Sequence, residues 1–180
     1  MLTEKQRGVL RGMMGGLIAA LLALSLAIIL APDAFLPDDE TALSAILHAL
    51  RWDALVVVWL AASIAALARH RFFNPSDIDG GGLTEGTSTA KVLQSMLQNT
   101  LEQVVLALAT HLLWAAVMPW RWQAAIPVAV MLFFLGRALF WRGYGHGAPA
   151  RALGFALTFY PTVVMLFGVV VNLVWMAITG

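Results

Sequence analysis

The sequence predicts an all-α integral membrane protein with five membrane-spanning helices. Of its 180 residues, 61% are hydrophobic and only 12% are charged, whereas soluble domains carry about 25% charged residues. The mean hydropathy is +0.82. A helix needs about 20 mostly apolar residues to cross a bilayer. Five stretches reach or approach this length, at residues 12–31, 54–68, 92–118, 124–141 and 151–177. The second stretch begins nearer Ala45 if Arg51 and Asp53 lie among lipid headgroups.

Composition also excludes several classes of function. The chain has no cysteine, so a disulfide, a thiolate metal site and a cysteine nucleophile are all excluded. The net charge of +1 gives no indication of a nucleic-acid partner, and we expect none. The four histidines are too scattered in the sequence for metal-ligand spacing, so we also expect no metal; they are His48, His70, His111 and His146.

The first stretch has two interpretations. Lys5, Arg7 and Arg11 followed by a long apolar run resemble a secretory signal peptide. The run is longer than a usual signal core and ends in a poor cleavage site, so we predict an uncleaved helix. The small residues spaced four apart in this helix allow another helix to approach closely, or simply reflect its composition; they are Gly8, Gly12, Gly16 and Ala20.

The positions of the basic residues predict the orientation. Lys and Arg are in excess in cytoplasmic loops, and here they gather before the first stretch, between the second and third, and between the fourth and fifth. The N-terminus is therefore expected in the cytoplasm and the C-terminus outside, with a bacterial inner membrane as the expected location. An aromatic belt near the outer interface agrees with this orientation; it consists of Trp52, Trp120, Trp122 and Trp175.

The third helix carries a polar stripe over its first three turns. Residues three and four apart share a helix face, and one face reads Lys91, Gln94, Ser95, Gln98, Asn99, Glu102 and Gln103. Glu102 is the only carboxylate within the five stretches as bounded above, and a charge at membrane depth costs about 2.5–3.5 kcal/mol. The stripe lines a cavity open to the cytoplasm, or forms a polar seam that fixes helix packing. His111 lies on the opposite side of this helix and is expected to be a packing histidine. Ser88 or Thr89 is placed to cap the helix.

The junction of the fourth and fifth helices suggests an anion site. Gly143, Gly145 and Gly147 end one helix, and Pro149 suits the first turn of the next. Arg151 then lies near a helix N-terminus, where the macrodipole is already positive. This cation indicates either a bound anion or anchoring to the cytoplasmic interface. Arg137 lies inside the fourth helix, shares a face with Tyr144, and is expected to pair with Glu102 or to bind a ligand.

These residues together resemble the MAPEG family, the membrane-associated proteins in eicosanoid and glutathione metabolism. The resemblance rests on Gln98-Asn99-Thr100-Leu101-Glu102, on the Gly136-Arg137 to Gly143-Tyr144 segment, and on Ala148-Pro149-Ala150-Arg151, and it covers about Ala54 to the C-terminus. It implies a MAPEG-like four-helix bundle over residues 41–180, with residues 1–40 as an additional N-terminal transmembrane helix and outer loop. It also implies a homotrimer with glutathione between neighbouring subunits, near the cytoplasmic side.

The resemblance implies roles for five residues. Arg151 falls where the family keeps the catalytic arginine that stabilises the glutathione thiolate. Asn99, Glu102, Arg137 and Tyr144 fall where the family binds glutathione, with Glu102 suited to its amino group. The chain departs from the family at two positions: Ser95 replaces a frequent arginine, for which Lys91 is a weaker substitute, and Phe140 replaces a tyrosine.

Three functions are compatible with this pattern. The first is a membrane-embedded glutathione-dependent transferase or peroxidase acting on a lipophilic electrophile, with glutathione as co-substrate. The second, motivated by Ser95 and Phe140, is a catalytically inactive MAPEG-like structural or lipid-binding membrane protein. The third is a small transporter or channel, although the polar stripe stops halfway along the third helix and a conducting path needs polar lining across the full depth.

Overall fold

The computed structural model describes residues 2–180. It contains five long helices, namely α1 (Glu4–Leu30), α2 (Ala42–Phe73), α3 (Ser88–Val117), α4 (Ala125–Gly143) and α5 (Ala148–Thr179). Five helical segments are long and apolar enough to cross a membrane, the fourth counted together with its flanking 3₁₀ turns. No strand occurs within residues 2–180. The predicted all-helical membrane class is therefore confirmed, and the chain is an integral membrane protein.

Helix α2 is much longer than the predicted stretch at 54–68, because Asp53 lies inside the helix and inside the bundle. Asp53 is 2% exposed, and its Oδ1 lies 2.6 Å from Nδ1 of the fully buried His111 on α3. Glu102 is the only carboxylate within the predicted stretches, but the longer α2 adds Asp53 to the carboxylates of the spanning helices. A buried polar group is tolerated when it is hydrogen-bonded, and Asp53 Oδ1 and His111 Nδ1 are partners here, whereas Asp53 Oδ2 and His111 Nε2 have no partner within residues 2–180. The prediction that His111 is a packing histidine is confirmed.

Gly8, Gly12 and Gly16 of α1, which we call the glycine ladder, form a helix-packing surface. A Cβ atom added to Gly8 would lie 2.9 Å from Pro149 Cβ, and one added to Gly12 would lie 2.8 Å from Ala152 Cβ, both on α5. One added to Gly16 would overlap Ala156. Small residues at these positions let the two backbones approach closely, so α1 packs along α5. That α1 is not cleaved stays a prediction. The division at residue 40 stays a prediction.

The helix ends at one end of the bundle collect most of the basic residues, and we call this the basic end. It comprises the start of α1, the α2–α3 loop and the α4–α5 turn. The turn is built as predicted: α4 ends at Gly143, and Gly147 has φ +92°, a conformation that favours glycine. Pro149 lies in the first turn of α5. Arg151 is thereby placed in that same turn.

The α2–α3 loop is closed by a network around the buried carboxylate of Asp77. The backbone N–H and the hydroxyl of Thr87 both donate to Asp77, at 2.7 Å, and His70 Nε2 lies 2.9 Å from the same carboxylate. Thr87 also accepts from the N–H of Ala90 and so caps α3. The expectation that Ser88 or Thr89 is the cap is wrong, because both already lie within the helix.

The first prediction concerns the contact between α1 and α5. Replacing Gly16 by leucine puts a side chain against the backbone of Ala156, and overpacking of this kind costs about 1–3 kcal/mol. Thermal unfolding in detergent should show a lower midpoint for Gly16→Leu. Gly15→Leu is the matched control, because its Cβ meets only a flexible atom of Leu153 at 3.8 Å. Equal midpoints for the two variants would contradict this packing.

The second prediction concerns the loop. Hydrogen bonds from the Thr87 hydroxyl and N–H, with a further contribution from His70, hold the pKa of Asp77 below its ordinary value. Because the folded-state pKa is depressed, the carboxylate stabilises the loop above the unfolded-state pKa, and this stabilisation is lost as pH falls through the folded-state value. Carbon-13 NMR titration in micelles should show the pKa of Asp77 rising in Thr87→Val. It should stay unchanged in Ser88→Ala, and a pKa that does not respond to Thr87→Val would refute the network.

Candidate functional site

An open cavity of about 700 Å³ lies at the basic end of the bundle. Its polar wall is the predicted stripe of α3, with Gln94, Ser95, Gln98, Asn99 and Glu102. Its second wall is formed by the α4–α5 turn and α5, with Tyr144, Ala148, Arg151, Ala152 and Phe155. Phe140 of α4 also lines the cavity, and α1 contributes Val9 and Met13. The stripe therefore lines a cavity, as one of its two interpretations predicted.

Four of the five predicted site residues line this cavity. They are Asn99, Glu102, Tyr144 and Arg151. Arg137 does not line it. The guanidinium of Arg137 is 0% exposed and lies behind Asn99, 4.3 Å above the ring of Phe140. The expected pair of Arg137 with Glu102 is not formed, because Glu102 Oε1 accepts instead from Gln98 Nε2 at 2.9 Å.

Arg137 fixes the orientation of the Asn99 side chain. Its Nη1 donates to Asn99 Oδ1 at 2.9 Å, and its Nη2 donates to the hydroxyl of Thr158 on α5 at 2.8 Å. A guanidinium has only donors, so the oxygen of the Asn99 amide must face it. The amide NH₂ of Asn99 has no acceptor within residues 2–180. Two N–H donors are therefore left for the cavity that Asn99 lines.

Arg151 is half-buried in the first turn of α5, and its guanidinium lies 4.3 Å from the ring centroid of Tyr144. The ring face is the electronegative side of an aromatic group, so this contact holds the cation in place. Within residues 2–180, no carboxylate lies within 4.0 Å of Arg151. Its charge therefore adds to the positive end of the α5 dipole and has no ion-pair partner within residues 2–180.

A second cavity, also about 700 Å³, adjoins the first at Gln94 and Ser95, which line both. This second cavity is lined by two cations, Arg71 of α2 and Lys91 of α3, and by two carboxylates, Asp77 and Glu85. Gly80, Gly81 and Gly82 also line it. Arg71 Nη2 donates to Gln94 Oε1 at 3.1 Å. Sequence reasoning used Arg71 only to assign orientation. Its position in the last turn of α2, the helix that pairs with α3, was the signal that it could reach this cavity.

Sequence reasoning also missed the contribution of α1. Met13 lies at the start of the first stretch and Val9 lies just before it, between Arg7 and Arg11, and nothing in their spacing distinguishes them from lipid-facing neighbours. The buried Asp53–His111 pair does not belong to either cavity. Within residues 2–180, no three His, Asp or Glu side chains are grouped as metal ligands.

Comparison with known proteins identifies the family. The chain matches the model of the MAPEG family over residues 46–171, which is more than half of its length. No curated protein and no solved structure matches the chain. The matched residues include the polar stripe of α3, the whole of α4 and the first turn of α5. With the five spanning helices, the match shows that the chain belongs to the MAPEG family, membrane proteins of glutathione and eicosanoid metabolism.

Proposed function

We propose that the protein is a glutathione-dependent transferase or peroxidase that acts on a lipophilic electrophile from the bilayer. The observation that carries the proposal is the convergence of three groups on one cavity. These are the Arg151 guanidinium, the Glu102 carboxylate and the Asn99 amide oriented by Arg137. A cation, an anion and a neutral donor pair in one cavity are suited to a ligand that carries charges of both signs.

Glutathione has the chemistry that these residues suit. It carries an ammonium group, two carboxylates, two amides and a thiol. Glu102 would take the ammonium group, and the N–H donors of Asn99 would take a carbonyl or carboxylate oxygen. A cavity of about 700 Å³ lies within the size range of small-molecule sites, about 300–1,000 Å³.

The carboxylates need positive charge, which the chain lacks at Ser95. Arg71 and Lys91 would supply it, since both line the cavity that adjoins Ser95. Arg71 is already directed towards the shared boundary by its hydrogen bond to Gln94. A guanidinium and an ammonium group both form charge-assisted hydrogen bonds with carboxylates, about twice as strong as neutral ones. These two cations would together replace the arginine that the family often has at the position of Ser95.

Phe140 departs from the family by losing a hydroxyl, but its ring has two structural contacts. It stacks beneath the guanidinium of Arg137, and it packs edge to face against Tyr144 at 5.3 Å between centroids. The aromatic ring would therefore keep Arg137 and Tyr144 in position. The hydroxyl of Tyr144, which lines the cavity, remains as the phenolic donor.

Bound glutathione would supply a thiol as the nucleophile. The reactive form of a thiol is the thiolate, and nearby positive charge favours it by lowering the thiol pKa. Arg151 would provide this charge, reinforced by the N-terminal end of α5. The Tyr144 ring would hold the guanidinium in one place, so that its position is set before the ligand arrives.

The assembly and orientation belong to the same proposal. Family membership supports a homotrimer, and the gathering of Lys and Arg at one end of the bundle supports a cytoplasmic position for that end. The N-terminus would then be cytoplasmic, the C-terminus outside, and both cavities would open to the cytoplasm. A bacterial inner membrane is the proposed location.

The third prediction tests the thiolate. Replacing Arg151 by alanine should raise the pKa of bound glutathione thiol and lower the conjugation rate with an aryl halide by about two orders of magnitude. The ultraviolet absorbance of the thiolate, titrated against pH, measures the first effect directly. Arg142→Ala is the matched control, because Arg142 is an exposed cation at the same end that lines neither cavity. A purified protein that is not thermally stabilised by millimolar glutathione would overturn the proposal.

The fourth prediction tests the carboxylate subsite. Replacing Arg71 by alanine should weaken glutathione binding by about tenfold or more, since a hydrogen bond to a charged group contributes about 1.5–3 kcal/mol. Isothermal titration calorimetry measures the affinity. Glutathione ethyl ester, which lacks one carboxylate charge, should bind the wild type more weakly and should lose less on the substitution. An equal loss for both ligands would contradict the assignment of Arg71 to a carboxylate.

A further inference from the structure

The main cavity has two chemically different sides. Its α3 side is entirely polar, from Gln94 to Glu102. The rest of the lining includes four apolar residues, Val9 and Met13 of α1 and Ala152 and Phe155 of α5. A small polar ligand alone would gain no free energy from this apolar side. The hydrophobic effect stabilises a complex only when apolar surface of the ligand and of the protein is removed from water together.

The position of the apolar side is set by the glycine ladder. Val9 directly follows Gly8, and Met13 directly follows Gly12, so both side chains lie next to the line where α1 touches α5. They are four residues apart and therefore share one face of α1. Both are partly buried, whereas Met14, the next residue, is 47% exposed on the outer surface. The close approach of α1 to α5 thus brings two apolar side chains over the cavity.

The α1 part of this apolar side, Val9 and Met13, is outside the part of the chain that matches the family. The match begins at residue 46, whereas α1 ends at Leu30. Whatever α1 does in the cavity is therefore a property of this chain, added to the polar groups of the matched region.

We infer that Val9 and Met13 of α1 form the subsite for the lipophilic co-substrate, and that their size sets which electrophiles enter. The inference rests on the proposed function, because it assigns the polar side to glutathione and the apolar side to the other reactant. Arg151 lines the same cavity, so both reactants reach the thiolate position. The exposed side chain of Leu10, which follows Val9 on α1, gives an approach from the lipid.

The test compares two neighbouring methionines. Met13→Trp should raise KM for aryl halides with a long alkyl chain by about tenfold, with a smaller effect on the unsubstituted aryl halide, because an apolar pocket discriminates by size at about this level. Met13→Ala should have the opposite effect. KM for glutathione should stay unchanged in both. Met14→Trp, which adds the same indole on the lipid side, should change none of these values. Val9→Phe provides a second substitution of the wall if Met13→Trp does not fold.

A binding measurement keeps this inference separate from the proposed function. An apolar aryl diazirine should label residue 13, and excess aryl halide should suppress this label but not the label at residue 14. Suppressed labelling without any glutathione binding would support the α1 subsite for the lipophilic compound and would refute the proposed function. Two results would refute the α1 subsite while glutathione still binds and the proposed function stands. One is an equal effect of Met13→Trp and Met14→Trp on KM. The other is labelling of residue 13 that the aryl halide does not suppress.

Discussion

The candidate site depends on the hydrogen bonds of one buried guanidinium, that of Arg137. In a bilayer, no water reaches the interior of the bundle to satisfy a buried polar group, so the protein must supply its partners. Arg137 projects from α4 and donates to Asn99 on α3 and to Thr158 on α5. Breaking either contact would leave a further N–H group of this buried cation without an acceptor, in addition to Nε, which has none within residues 2–180, and an unpaired buried polar group is costly. One side chain therefore joins three of the four helices that line the cavity, α3, α4 and α5.

The polar groups of this bundle differ in whether their partners lie within the chain. Asp53 and His111 bond to each other, and Asp77 is surrounded by donors from the loop that it closes. Glu102 and Arg151 line a cavity instead, and neither has an ion-pair partner within residues 2–180. A membrane protein gains no stability from charges held in this way. The proposed ligand site rests on these two charges.

Hydropathy was enough to predict five helices, because each must be apolar over nearly its whole length. It was not enough for the boundaries of α2, since Asp53 is made acceptable by His111, 58 positions later in the chain. Helical periodicity predicted that the α3 stripe shares a face, and Arg151 fell in the first turn of α5 as the Gly and Pro pattern indicated. Periodicity gives the face of a helix but not the helix opposite it. The partner of Arg137, the place of Arg71 beside Ser95 and the contact of α1 with α5 all depend on tertiary packing.

The contact between α1 and α5 joins the first helix of the chain to the last. Contacts so far apart in sequence form late in folding, because the intervening chain must be ordered first. During synthesis, α1 enters the membrane while its partner has not yet been made, and its glycine face has no α5 to cover it. The cavity gains its apolar wall only when α5 has been inserted. A chain released before that point would have the polar stripe of α3 but not the α5 residues of the cavity. If the protein has the proposed function, premature termination should therefore leave no transferase or peroxidase activity.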